Sequence, residues 1–214
     1  MLGPATPDNL LHILEIRALS VDDLSTARYV VGTAFARAAK EHYSAADIDA
    51  FAEFVRSPHY GDVLLGNRAY GAWVGSEMVG VAAWSLGEAK SPTARILAVF
   101  VHPLFGGDGI GTRLTEYLED EARAAGYRAL ETSATINSAS FFERLDYLEV
   151  RRGAWGLPSG RQMPIAFMRK ISGARPDTCT DDQLRRCGRA AGLPIFRVRS
   201  AARAASTRGR PRGR

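Results

Sequence analysis

One stretch constrains this chain more than any other. Arg95–Val101 is a run of strand-forming residues, followed by His102, Pro103 and the cluster Gly106, Gly107, Asp108, Gly109, Ile110, Gly111. A helical pattern starts at once, with apolar residues three to four apart from Thr112 to Glu119. A strand that runs through a glycine turn into a helix N-terminus leaves several backbone amides unpaired, and the helix dipole adds about half a positive charge there. An anionic, phosphate-bearing ligand is the first expectation. The mononucleotide P-loop is excluded because no Lys followed by Ser or Thr comes after the glycines. A dinucleotide fingerprint needs Gly-x-Gly-x-x-Gly after the first strand of a parallel unit, whereas Gly107, Gly109 and Gly111 alternate singly and follow a hairpin.

That hairpin comes from Ala69–Val74 and Met78–Trp84, two strand patterns joined by Gly75, Ser76 and Glu77. Upstream, Ile13–Leu19 reads as a first strand. Ser20 is the expected cap of a long helix ending near Lys40, with Leu24, Ala27, Val30, Val31, Ala34 and Phe35 as its apolar stripe. Ser44 caps a second helix that Pro58 stops, and His59–Asn67 reads as a loop. Downstream, Gly126 suits the residue just past a helix end. Arg128–Ser133 is a strand, Asn137–Leu145 a short helix, and Tyr147–Arg152 and Met163–Lys170 the last two strands. This order predicts one mixed α/β (α+β) domain, a single mostly antiparallel sheet with helices on both faces.

Charge divides the chain more sharply than its total of +5 suggests. Residues 1–172 carry 17 Lys and Arg against 20 Asp and Glu, while residues 173–214 carry 11 Arg against three Asp. The expected layout is a loose leader at 1–12, the domain at 13–172, and an Arg-rich tail at 173–214 with the composition of a disordered segment. Cys179 and Cys187 both lie in the tail, so the body offers no thiol nucleophile or thiolate metal site, and no metal is expected. No signal-peptide pattern or membrane span is visible, which sets the cytoplasm as the expected compartment.

Two segments resemble the GCN5-related N-acetyltransferases, the GNAT superfamily. Val99, Phe100, Val101, His102 and Pro103 with Gly107–Thr112 and Leu114 look like its acyl-CoA-binding segment. Asn137–Tyr147 is similar to its second segment, usually written N-x-x-x-x-F-Y-E-x-x-G-F, and the element order from Ile13 to Ile171 matches as well. The resemblance implies a splayed sheet whose strands at Arg95–Val101 and Arg128–Ser133 part to admit acetyl-CoA as acyl donor. It places Val99, Phe100 and Val101 along the pantetheine, and Gly106, Gly107, Asp108, Gly109, Ile110, Gly111 and Thr112 around the pyrophosphate. Asn137 and Phe142 stand on the facing side, although helix capping accounts for Asn137 equally well.

The implied reaction is attack of a primary amine, on a small molecule or a protein, upon the thioester. It needs a base, an oxyanion donor and an acid for the leaving thiolate. The amide near Val99 is the oxyanion candidate, and Tyr43, between the first two helices, falls on the acceptor side. Three departures from the family pattern bear on catalysis. Gly106 replaces a Gln or Arg, Asp108 brings a negative charge to the phosphate loop, and Phe142 stands where many relatives have a proton-donating Tyr. Arg95 sits where some relatives carry a glutamate base, leaving Glu88, His102 and His42 as substitutes. A catalytically weak or inactive acyl-CoA-binding module is therefore the rival expectation. Nucleic acid or another polyanion is expected only through the tail, and the last strand offers pairing across a homodimer.

Overall fold

A computed structural model describes residues 11–86 and 93–171. Its elements are β1 (Leu14–Ala18), α1 (Leu24–Ala38), α2 (Ala45–Arg56), α3 (Pro58–Leu65), β2 (Arg68–Val74) and β3 (Glu77–Ser85). There follow β4 (Thr93–Val101), α4 (Ile110–Ala124), β5 (Ala129–Thr135), α5 (Ala139–Glu143), β6 (Leu148–Gly156) and β7 (Gln162–Ile171). The seven strands form one sheet in the order β1-β2-β3-β4-β5-β7-β6. Every neighbouring pair is antiparallel except β4 and β5. The fold class expected from the sequence is thus the one observed.

Each face of the sheet has its own core. Ala27, Val30, Val31, Ala34 and Phe35, spaced three and four apart on α1, bury one stripe. Together with α2 and α3 they cover Ala69, Trp73, Met78, Val81, Ala83 and Ala98 of β2, β3 and β4. On the other face Ile110, Leu114, Leu118 and Ala122 of α4 pack on Ala72, Val79, Ile96 and Leu130. Each fully buried leucine there contributes about 1.5–3 kcal/mol. The α4 core also holds a buried charge, Glu119, which accepts from Tyr147 Oη at 3.0 Å and from Lys170 Nζ at 2.8 and 3.0 Å. The pairing that makes this carboxylate tolerable also ties α4 to β7 and to the segment after α5. Burial and the neighbouring carboxylate raise the Tyr147 phenol well above its usual range, so it stays a donor.

Several boundaries differ from the expectation. His59–Asn67 is mostly helix rather than loop, because Pro58 occupies the first position of α3 and Ser57 caps it, accepting from Tyr60 N at 3.3 Å. Proline ends α2 and, its φ already helical and its missing N–H harmless at a first turn, starts α3. Ser20 does not cap α1. Asp23 holds that position, and Ser20 N and Oγ donate to Asp23 Oδ2 at 2.9 and 2.7 Å. Ser44 does cap α2, in a reciprocal box with Asp47. The last strand, β7, lies inside the sheet between β5 and β6, so its edges are taken and it cannot pair across a dimer. The tail, Glu88 and most of the leader fall outside the described residues.

Candidate acyl-donor and acceptor cleft

The site begins with a missing ladder. β3 pairs with β4 along its length to Val101, but β5 pairs with β4 only over Thr93–Ile96. The two strands diverge from Leu97 onward. On the β3 side the register jumps from Ala83 opposite Ala98 to Trp84 opposite Ile96, which leaves Leu97 as an extra residue in a bulge. A bulge adds twist and bends its strand, and this one sits where the seam opens. Amides and carbonyls of Leu97–Val101 that face β5 consequently have no ladder partner on that side.

A cleft fills the gap. Leu97–Val101 form one wall, Thr132–Thr135 with Asn137 and Ser138 the other, Ala34, Phe35 and Ala38 of α1 close one side, and Phe142 lies deeper. Val99, Phe100, Val101, Asn137 and Phe142, all singled out in the sequence, thereby line one cleft. Asn137 does not cap α5; Ser138 holds that place, with no side-chain cap bond. The Asn137 Oδ1 is instead buried without a hydrogen-bond partner. An unpaired buried amide oxygen costs about 1–3 kcal/mol unless a ligand donates to it, so it marks a polar contact that the protein does not supply from its own groups.

Where β4 ends, the chain turns at Pro103–Phe105 and enters the glycine loop. Gly107 and Gly109 have φ of +96° and +79°, the left-handed region that other residues enter only with strain, and Gly109 is the N-cap of α4. Gly106, Gly107 and Gly109 are exposed, Asp108, Gly111 and Thr112 half-buried, and Ile110 is buried. The Val101 Cγ2 lies 3.6 Å from where a Gly111 Cβ would stand, so cradle and cleft are continuous. The unpaired strand groups, the orphaned Asn137 oxygen and this cradle together fit a long ligand with amides in its arm and phosphates at one end.

The other catalytic candidates are placed less directly. Tyr43 is buried, donating through Oη to Pro164 O at 2.6 Å and accepting from Ile136 N at 2.9 Å. Burial raises its pKa, so the phenol keeps its proton. With both capacities in use, its visible work is to pin the turn that carries Asn137. His102 stands beyond the cleft lining, stacked on Tyr29 at 5.8 Å, its Nδ1 accepting weakly from Leu104 N at 3.4 Å. His42 is exposed. Phe142 packs on Tyr147 at 5.3 Å. Thr132, Ser133, Thr135 and Ser138 also line the β5 wall, and sequence reasoning does not reach them; short polar residues on a strand carry no motif that would single them out.

The profile of the acetyltransferase (GNAT) family matches residues 30–147, more than half of the chain. The chain belongs to the GNAT acetyltransferase family. Solved GNAT structures share its fold. A GCN5-related N-acetyltransferase from Rhodopseudomonas palustris is 24% identical with a TM-score of 0.67, over 73% of this chain and 94% of that one. The PaiA N-acetyltransferase from Thermoplasma acidophilum, solved with coenzyme A, is 18% identical with a TM-score of 0.58, over 74% and 98% of the two chains. A GNAT acetyltransferase from Brucella melitensis, solved with acetyl-CoA, is 20% identical with a TM-score of 0.53, over 76% and 90%. In sequence, 71 residues are 41% identical to the tRNA(Met) cytidine acetyltransferase TmcA of Nitrosococcus halophilus, a match covering 31% of this chain and only 10% of that much longer relative. No helix among the described residues is long and apolar enough to cross a membrane.

Proposed function

We propose that this GNAT protein is an acetyl-CoA-dependent N-acetyltransferase that acts on a primary amine of a small molecule or a protein, with the cytoplasm as its setting. The observation that carries this is the β4–β5 seam opening at Leu97 directly into the glycine cradle. Bound acetyl-CoA supplies an activated thioester carbonyl. The chain's part is to hold and orient it. The cradle amides of Gly106–Thr112 and the N-terminus of α4 take the phosphates, with small residues admitting close approach. Free strand groups between Leu97 and Val101 pair with the amide arm, and Asn137 Oδ1 accepts one further hydrogen bond. An amide near Val99 is the donor for a developing oxyanion.

Phe142 offers no proton, so with acetyl-CoA bound the proton for a leaving thiolate would have to come from water. A CoA thiolate, with a parent pKa of about 8.5 by analogy with free cysteine, leaves without an enzyme acid. The base is Glu88, His102 or His42, acting through water. The rival, a silent binding module, has less support, since family and fold neighbours are acetyltransferases. The local likeness to a tRNA(Met) cytidine acetyltransferase adds nucleobase amines to the acceptors worth trying.

The test is calorimetric titration with acetyl-CoA followed by CoA-release assays over a panel of amines. Binding with amine-dependent CoA release is expected. No binding at millimolar acetyl-CoA would sink the proposal, and binding without release from any amine would leave the silent module in its place.

A further inference from the structure

Strand register assembles a charged row that no single segment of the chain reveals. Arg95 on β4 lies beside Glu131 on β5, which lies beside Arg169 on β7. One step toward the open end, Ser133 lies beside Phe167, and Phe167 beside Arg151 on β6. Laterally paired residues share a face of the sheet. Met163 and Trp155 have the same parity on β7 and β6 and join the core under α1–α3, so the row lies on that face. That core, however, sits mainly over β2, β3 and β4. Over β5, β7 and β6 the face is accessible: Ser133 and Arg151 are exposed, and Arg95, Glu131, Phe167 and Arg169 are half-buried. Ser133 also lines the cleft, so this surface runs into the site.

Three arginines share this face of the sheet with one glutamate. Arg169 Nε stands 3.8 Å from Glu131 Oε1, an ion pair too long to be a hydrogen bond, and this buried Nε has no hydrogen-bond partner. The Arg151 guanidinium lies 3.6 Å over the Phe167 ring. Gly153 makes room for that stack, since a Cβ there would come within 2.7 Å of the ring and 3.2 Å of Arg151 Nη1. Stacking fixes the guanidinium plane and leaves its edge donors free for a forked contact with an oxyanion. Neither Arg95 nor Arg151 has a carboxylate partner among the described residues. A body whose net charge is negative thus turns positive beside its own cleft.

We propose that this face is an anion subsite for the acceptor, so that the substrate is an amine carrying a carboxylate or phosphate. This deepens, and rests on, the acetyltransferase assignment. Arg151 and Arg169 hold the oxyanion, Arg95 adds to the field, and the amine passes Ser133 into the cleft. Strands about 4.8 Å apart put β6 about 10 Å from β5, which asks for roughly 7–10 Å between amine and anion.

The experiment compares 6-aminohexanoate, 6-aminohexyl phosphate and 6-aminohexanol as acceptors for the full chain, reading CoA release at saturating acetyl-CoA. The better anion is expected to exceed the alcohol at least about tenfold in kcat/KM, with the order of the two anions telling carboxylate from phosphate. Arg151→Gln, at an exposed position, should raise KM for the anionic acceptor about fivefold or more and leave KM for acetyl-CoA and turnover of the alcohol unchanged; Arg151→Lys should fall between. Arg169→Gln should act in the same direction. Charged and neutral acceptors agreeing within about twofold, or a ratio untouched by Arg151→Gln, would overturn the subsite. Acetyl-CoA binding with none of the three acetylated would overturn it too while sparing the donor site, whereas failure to bind acetyl-CoA would remove both.

Discussion

The two sides of the cleft are made of different material. The side proposed for the acyl donor is largely backbone: unpaired strand groups from Leu97 to Val101, amides of a glycine loop, and one side-chain oxygen on Asn137. The side proposed for the acceptor is side chains: Phe35 on α1, the doubly bonded Tyr43, and guanidinium groups drawn from three strands. A backbone site recognises a ligand common to many proteins and tolerates change in everything except conformation. A side-chain site can be rebuilt residue by residue, which is what choosing a different amine requires.

That contrast can be broken most severely at Gly109. Gly109→Val forces a β-branched residue to φ near +79°, a strain of about 1–3 kcal/mol. Acetyl-CoA affinity is expected to fall by about 100-fold or more as the cradle deforms. Calorimetry measures the loss and circular dichroism checks that the fold survives; normal affinity would mean that the donor side is not made of backbone.

Tyr43→Phe comes next. It strands Pro164 O and Ile136 N, bonded at 2.6 and 2.9 Å, and should cost about 1–2 kcal/mol in thermal or urea unfolding. The pH profile of kcat/KM should keep its shape if Tyr43 positions Asn137 and carries no proton. A lost limb in that profile would move Tyr43 into the proton-transfer chemistry.

Asn137→Ala separates binding from stability. Its Oδ1 has no partner in the free protein, so the melting temperature should hold or rise. KM for acetyl-CoA should increase about five- to tenfold, the worth of one hydrogen bond. A fall in stability with KM unchanged would make Asn137 structural.

The smallest effects belong at the α1–α2 corner. Hydrogen bonds from Ser44 and Arg161 hold the Asp47 carboxyl below its ordinary value of 3.8. A carboxylate depressed in the fold contributes stability that is present above the ordinary value and is lost as pH falls through the folded one. Melting temperatures should therefore drop more steeply below about pH 4 in the native protein than in Asp47→Asn. Ser44→Ala, removing the cap, should cost about 1 kcal/mol at neutral pH.

Much of this is legible in the chain itself. The stripe on α1, the hairpin around Gly75, the Ser44 cap and the glycine loop are each written in residues close together, because local spacing and turn chemistry act over a few positions. Where local signals conflict, the sequence misleads: Pro58 reads as a stop, and its second role at the start of α3 depends on Ser57 capping the turn. The bulge at Leu97 has no signature of its own in Arg95–Val101. It shows only in the strand registers, where β3 stays paired to Val101 while β5 stops at Ile96.

The amino-acid sequence alone determined the family, the mixed α/β architecture and the glycine loop proposed to cradle the donor, since the glycines that allow close approach stand in one continuous segment. Tertiary structure alone assembled the face proposed for the acceptor. Arg95, Glu131, Arg169 and Arg151 become neighbours only because the sheet runs β4-β5-β7-β6, an order set by which strands bury their faces together rather than by any spacing along the chain. The same order left Tyr43, which the sequence places on the acceptor side, bridging α2's entrance to β7 and to the turn after β5 as a clamp.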